Sequence, residues 1–167
     1  MRIRRATAGD EDTIVAFNAA MALETEHLRL DETVLRRGVR AALADPAKGF
    51  YLVAEAAGEV VGQTLVTAEW SDWRNGFFWW IQSVYVRPDA RRGGVFRALF
   101  DHVRTAAAAD PDAIGLRLYV DRDNARARAT YATLGMTEEG YVLFGQYPLP
   151  GKPNALGDGG YGDRDRS

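Results

Sequence analysis

Two short stretches carry residue types that do chemistry. The first is Arg91-Arg92-Gly93-Gly94-Val95-Phe96, followed by Arg97. Within it begins a helical repeat of Val95, Phe96, Leu99, Phe100, Val103, Ala106 and Ala107. It follows residues 77–86, an aromatic and β-branched run that reads as a buried central strand. Amides in the first turn of a helix lack internal partners and carry partial positive charge, so they bind anions such as phosphate. Glycine lets that backbone take positive φ and lets a ligand come close. Arg91, Arg92 and Arg97 add full charges, and the whole makes a pyrophosphate cradle. The same residues also make an ordinary strand-to-helix turn with its arginines in solvent. No Lys-Ser or Lys-Thr follows the glycines, and the turn lacks the G-x-G-x-x-G spacing, so the common nucleotide loops do not apply.

The second stretch is "NARARATYATLGM", which sets Asn124, Ala127 and Tyr131 on one helix ahead of Leu134, Gly135 and Met136. A phenol with a pKa of about 10 is protonated at neutral pH and can donate to a leaving thiolate. Tyr131 also reads as a core aromatic on an amphipathic helix.

Positioning these stretches requires a particular set of elements. Residues 2–6 form a short strand. Acids and cap residues in "AGDED" then open a helix running from about residue 10 into the twenties, with Ile14, Phe17 and Met21 on its apolar face. A second helix is capped by Asp31 and stops before Pro46. Two strands turn at Gly58, and the loop "SDWRNG" leads to the central strand. The helix from Val95, a strand in "IGLRLYV", the helix ended by Gly135, and a last pair of strands around Gly140 complete the order β-α-α-β-β-β-α-β-α-β-β. Residues 148–167 are rich in Gly, Pro and Asp and have little to bury, which predicts a disordered tail after a single domain of residues 1–147.

The series strand, R-x-x-G, helix, strand, N-x-x-A-x-x-x-Y-x-x-x-G-M resembles the GNAT superfamily of N-acetyltransferases. The likeness covers about residues 1–147. It implies a single-domain α/β fold with a mixed, mostly antiparallel sheet flanked by helices and splayed at the cofactor site. It also implies acetyl-CoA as acyl donor, with no metal. Carried over by the resemblance, Val84, Tyr85 and Val86 would pair their backbone with the pantetheine arm. Arg91, Arg92, Gly93, Gly94, Val95 and Phe96 would hold the pyrophosphate, and Asn124 would hydrogen-bond the arm. Phe96 departs from the pattern, since Gly or Ala is usual there; its ring is expected to turn toward the helix–sheet core.

Acetyl transfer needs a neutral amine, a polarised thioester carbonyl and a proton for the thiolate. The resemblance implies a backbone N–H near Val84 for the carbonyl and Tyr131 as general acid. At the position where many relatives carry a catalytic Glu, this chain has Gln82, which would orient a water or the substrate, or simply bond between strands. Glu24 lies about 20° from Phe17 on the helical wheel, so it is expected to point inward as base or ammonium anchor, whereas Glu26 is expected to face solvent. A frayed helix end is the other reading of Glu24. Glu69, with Asp72, would attract a cationic amine or pair with Arg74. Trp70 and Trp73 are candidates for the acceptor wall, while Trp79 and Trp80 read as packing.

Composition removes other classes. The chain has 21 basic and 23 acidic residues, a net of −2, so nothing draws it to nucleic acid over long range. There is no cysteine, which excludes disulfides and thiolate metal sites and fits direct transfer without an acyl-enzyme. His27 and His102 are too few for a metal cluster. With no membrane-length apolar run and no signal-peptide core, a cytoplasmic protein is expected. The expected partner is a small-molecule amine or amino-acid-like acceptor. Oligomeric state stays open, although many relatives form homodimers. A non-catalytic acyl-CoA-binding or sensing module is the alternative function.

Overall fold

The computed structural model describes residues 1–156. A five-stranded sheet has the order β1-β2-β3-β4-β5: β1 (Arg2–Arg5), β2 (Phe50–Ala56), β3 (Glu59–Ser71), β4 (Gly76–Val86) and β5 (Ala113–Leu118). All neighbours are antiparallel except β4 and β5, which run parallel. A parallel pair requires a crossover, and α3 (Val95–Ala109) supplies it. The sheet is therefore mixed and mostly antiparallel, as expected.

Helices cover both faces. On one, α1 (Glu11–Glu26) and α2 (Glu32–Ala44) enclose Ile14, Val15, Val39 and Tyr51. On the other, α3 packs Val95, Leu99, Phe100 and Val103 against Leu52, Val66 and Ile81. The apolar stripe read from the sequence is thus the buried face of α3. Local signals set the helix ends. Asp31 Oδ1 accepts from the amides of Thr33 and Val34, capping α2 at its predicted start. His27, in a left-handed conformation with φ 54°, ends α1. Gly135, with φ 84°, follows α4 (Ala125–Thr133) where the sequence places a stop.

The first nine elements appear in the predicted order; the last two strands do not. Residues 137–147 form neither helix nor strand, and Tyr141, Val142, Leu143 and Phe144 are between 64 and 90% exposed. Their composition has strand propensity, but a strand exists only through pairing, and no described strand pairs with the outer edge of β5. Residues 148–156 contain only turns and irregular chain, and the rest of the predicted tail lies outside the described residues. No described helix is long and apolar enough to cross a membrane.

One irregularity in β4 shapes everything that follows. Gln63 of β3 faces Tyr85 and Leu65 faces Gln82, so β4 carries one residue more than its partner at this point. The extra residue is accommodated at Ser83, whose φ is 48°. A bulge of one residue reverses the alternation of side chains. Trp80, Gln82 and Tyr85 consequently share the α1 face of the sheet, while Ile81, Val84 and Val86 share the α3 face.

Candidate active site

The β4–β5 ladder ends at Ile81 and Leu118. Beyond that point β5 stops while β4 continues to Val86, and a cavity of about 530 Å³ opens between the end of β4, the start of α3 and α4. Its lining includes Val84, Val86, Arg91, Gly94, Asn124 and Tyr131. The amide of Arg87 donates to Val61 on β3, so the peptide groups of Val86 alternate to the opposite side, toward the gap. The carbonyl of Val86 accordingly accepts from Arg91 Nε at 2.9 Å and not from β3. Val84, two residues away, presents its backbone on the same side.

The glycine loop forms the cavity's upper rim. Arg92 and Gly94 are both left-handed, with φ of 66° and 76°. Two such turns within three residues fold the backbone into a concave nest of amides. Gly94 is the N-cap of α3 and offers no side-chain acceptor to the first turn, so those amides stay available to an anion. A Cβ on Gly94 would meet nothing within 4 Å, so glycine is required there for its conformation and not for space. Gly93 is tighter: its Cβ would lie 3.1 Å from the carbonyl of Ala90. Arg92, Arg97 and Arg126 also line the cavity. Phe96 is half-buried and packs against the α3 core as expected, yet it also lines the cavity and meets the Tyr131 ring edge-on at 5.7 Å.

Helix α4 supplies the opposite wall through Ala127, Thr130 and Tyr131, which fall on one face at helical spacing. Asn124 caps this helix, its Oδ1 accepting from the amide of Ala127 at 3.0 Å. That leaves its Nδ2 to donate to a ligand. Tyr131 is half-buried, and burial pushes its hydroxyl above the ordinary phenol range. Among the described residues its hydroxyl has no hydrogen-bond partner.

On the other face of β4 the structure corrects several expectations. Tyr85 does not join Val84 and Val86 in the gap: its backbone is opposite Gln63 in the β3 ladder, and its ring packs on Phe17 of α1 at 5.0 Å. Glu24 is not buried, its side chain being 40% exposed, because it sits near the end of α1 where the core thins. It is nonetheless engaged, accepting from Tyr85 Oη at 2.9 Å and from Arg91 Nη2 at 2.5 Å. Arg91, aided by Tyr85, holds the Glu24 carboxyl below its ordinary value. Such a carboxylate is a poor proton acceptor near neutrality. Glu26 is exposed, as expected.

Gln82 donates from Nε2 to Thr67 Oγ1 across the β3–β4 pair, at 2.5 Å, the inter-strand role that was one of its two readings. Glu69 pairs neither with Arg74 nor with an open loop: it accepts from Trp80 Nε1 at 2.6 Å and from Arg117 at 3.0 Å. Arg117 also binds Glu139 and stacks over Phe78 at 3.6 Å, so a single guanidinium is shared between two carboxylates. Trp70 lies opposite Phe77 in the ladder, seven residues from Val84, which is about 23 Å along a strand. Trp70 and Trp73 therefore do not wall the cavity, and Trp73 is 86% exposed. The aromatic pair near the end of the β4–β5 ladder is instead Trp80 stacked on Tyr119 at 4.4 Å. Sequence reasoning missed this pair and the side chain of Tyr85. The period-two pattern around the central strand was the available signal, but the bulge at Ser83 breaks it.

Comparison with known proteins agrees with this architecture. Residues 14–136 match the acetyltransferase (GNAT) family. A possible acetyltransferase from Clostridium difficile 630 is 45% identical, with a TM-score of 0.83 over 89% of this chain and 97% of that one. An integron cassette protein from the mobile metagenome of Cole Harbour Salt Marsh is 24% identical, with a TM-score of 0.77 over 92% of this chain and 93% of that one. A predicted acetyltransferase with acetyl-CoA from Clostridium acetobutylicum shares the fold at 16% identity, with a TM-score of 0.71 over 87% of this chain and 95% of that one. No curated protein matches the sequence. The chain belongs to the GNAT acetyltransferase family.

Proposed function

We propose that this protein transfers an acetyl group from acetyl-CoA directly to the primary amine of a small or amino-acid-like acceptor. The observation that carries this reading is a juxtaposition. One cavity of about 530 Å³ joins the open amides of α3, the strand edge at Val84 and Val86, and the Tyr131 side chain. These residues fit the donor: a rim of open amides for an anion, a strand edge for an amide-containing arm, and a phenol on the facing helix. Acetyl-CoA supplies the thioester acyl group; the rest is the work of the chain. The loop amides with Arg91, Arg92 and Arg97 hold the pyrophosphate. The backbone of Val84 and Val86 and Asn124 Nδ2 align the arm. The Val84 N–H polarises the carbonyl as the amine nitrogen bonds to carbon and the carbon–sulfur bond breaks. Tyr131 gives its proton to the departing sulfur, and its raised pKa keeps it protonated throughout the neutral range. The amine's own proton passes to solvent, with Gln82 orienting the acceptor or a water. Glu24 serves as an ammonium anchor and not as the base, because a carboxylate this exposed to solvent is a poor proton acceptor near neutrality.

The test is stabilisation against heat by acetyl-CoA, together with thiol release over a panel of primary amines. Stabilisation with turnover supports the proposal, and no stabilisation by any acyl-CoA overturns it. Stabilisation without turnover on any amine would favour a non-catalytic acyl-CoA sensor. That second reading draws on Gln82, a non-basic residue bonded to Thr67.

A further inference from the structure

Four arginines line the cavity: Arg91, Arg92, Arg97 and Arg126. Among the described residues, Arg91 alone of these holds a carboxylate. Its guanidinium reaches from the cofactor loop past the end of β4, 5.6 Å from the centre of the Tyr85 ring, to Glu24 on α1. It therefore belongs to both faces of the sheet at once. Glu24 is held from two sides, by Arg91 and by the Tyr85 hydroxyl, which also accounts for its fixed position at an exposed helix end.

We infer that Arg91 is shared between the cofactor and Glu24, so that pyrophosphate binding withdraws it from Glu24 and uncovers a carboxylate for the acceptor's ammonium. This rests on the acetyl-CoA reading above. A dianionic pyrophosphate offers Arg91 more charge than one carboxylate does, and Arg91 lines the cavity while its guanidinium bonds Glu24. In the free protein Glu24 is neutralised and attracts no cation. In the cofactor complex it keeps the Tyr85 hydrogen bond, which orients it, and loses its counter-charge. The device makes binding ordered, cofactor before amine, without any backbone movement.

The experiment measures CoA and pantetheine affinity by calorimetry for the wild type and for Glu24→Gln, a shape-conserving change at an exposed site. Removing the competing charge should tighten CoA by about two- to fivefold, the scale of an exposed ion pair. Pantetheine, which has no pyrophosphate, should be unaffected. A second readout follows the Glu24 side-chain carboxyl by NMR titration. Its pKa should lie below the ordinary value in the free protein and rise toward it in the CoA complex. CoA affinity that is equal or weaker in Glu24→Gln, or a Glu24 titration unmoved by CoA, overturns the coupling and leaves the acetyl-CoA reading intact. Failure of the wild type to bind CoA sinks that reading and this one together.

Discussion

The two faces of β4 at the end of the β4–β5 ladder are built by opposite means. The α3 face presents mainly backbone to the cavity: the nest at Arg92 and Gly94, the free turn of α3, and the exposed edge at Val84 and Val86. The α1 face is built from side chains that hold one another across long sequence separations, Glu24 with Tyr85 and Arg91, Gln82 with Thr67, Glu69 with Trp80 and Arg117. A backbone site tolerates varied side chains, provided the chain keeps its conformation. Phe96 illustrates this, occupying a position where the family pattern has a small residue while its ring packs against the core. A side-chain site depends on every partner, and changing one member re-tunes the rest.

Four measurements would break or sharpen this contrast. The largest effect is expected from Tyr131→Phe, the one side chain on the backbone-built side assigned a chemical step. Loss of its proton should lower turnover by about 100-fold while CoA affinity changes less than about twofold. Unchanged turnover, with chemistry shown to be rate-limiting, would remove Tyr131 as the acid. Next, Gly94→Val forces a β-branched residue into a left-handed conformation with open space around it. It should weaken CoA about tenfold and cost about 1–2 kcal/mol of stability in a denaturant melt. Normal CoA binding in that variant would mean that arginine side chains, and not the nest, hold the anion.

A smaller change is expected from Gln82→Ala on the α1 face. It breaks the bond to Thr67 and should raise the acceptor KM a few-fold with CoA affinity unchanged. An equal loss for both substrates would show that the two faces are not separable there. The smallest effect concerns pH. The folded-state pKa of Glu24 is depressed, so its contribution to stability is present above its ordinary value of 4.5 and fades as pH falls through the folded one. The wild type should melt about 1–2 °C above Glu24→Gln near pH 6, and the gap should close on acidification below pH 4.5. A gap that persists in acid would mean that Glu24 stabilises by packing instead of charge.

The contrast also explains what was legible. The α3 face depends on motifs that are short in sequence, so the resemblance they carry grouped Gly94, Asn124 and Tyr131 at one site, and all three line one cavity. The α1 face failed the same treatment. A helical wheel turned Glu24 inward because the wheel assumes that burial continues along the helix, whereas α1 ends two residues later and Glu24 stays half in solvent. Loop position suggests Trp70 and Trp73 for the acceptor wall, but strand length carries them away from the cavity. The last strand pair was read from propensity, which supplies no hydrogen-bonding partner.

The order of the first nine elements, the buried stripe of α3, the cap at Asp31 and the glycine turn that opens α3 were determined by the sequence alone. Each rests on interactions within a turn or two of chain. Only the tertiary structure decided which way Tyr85 faces, because one extra residue at Ser83 reverses the strand. It also decided that Arg91 of the loop reaches Glu24, 67 residues away. Local periodicity cannot register a bulge, and it cannot bring together charges that only the packing of α1 on β4 makes neighbours.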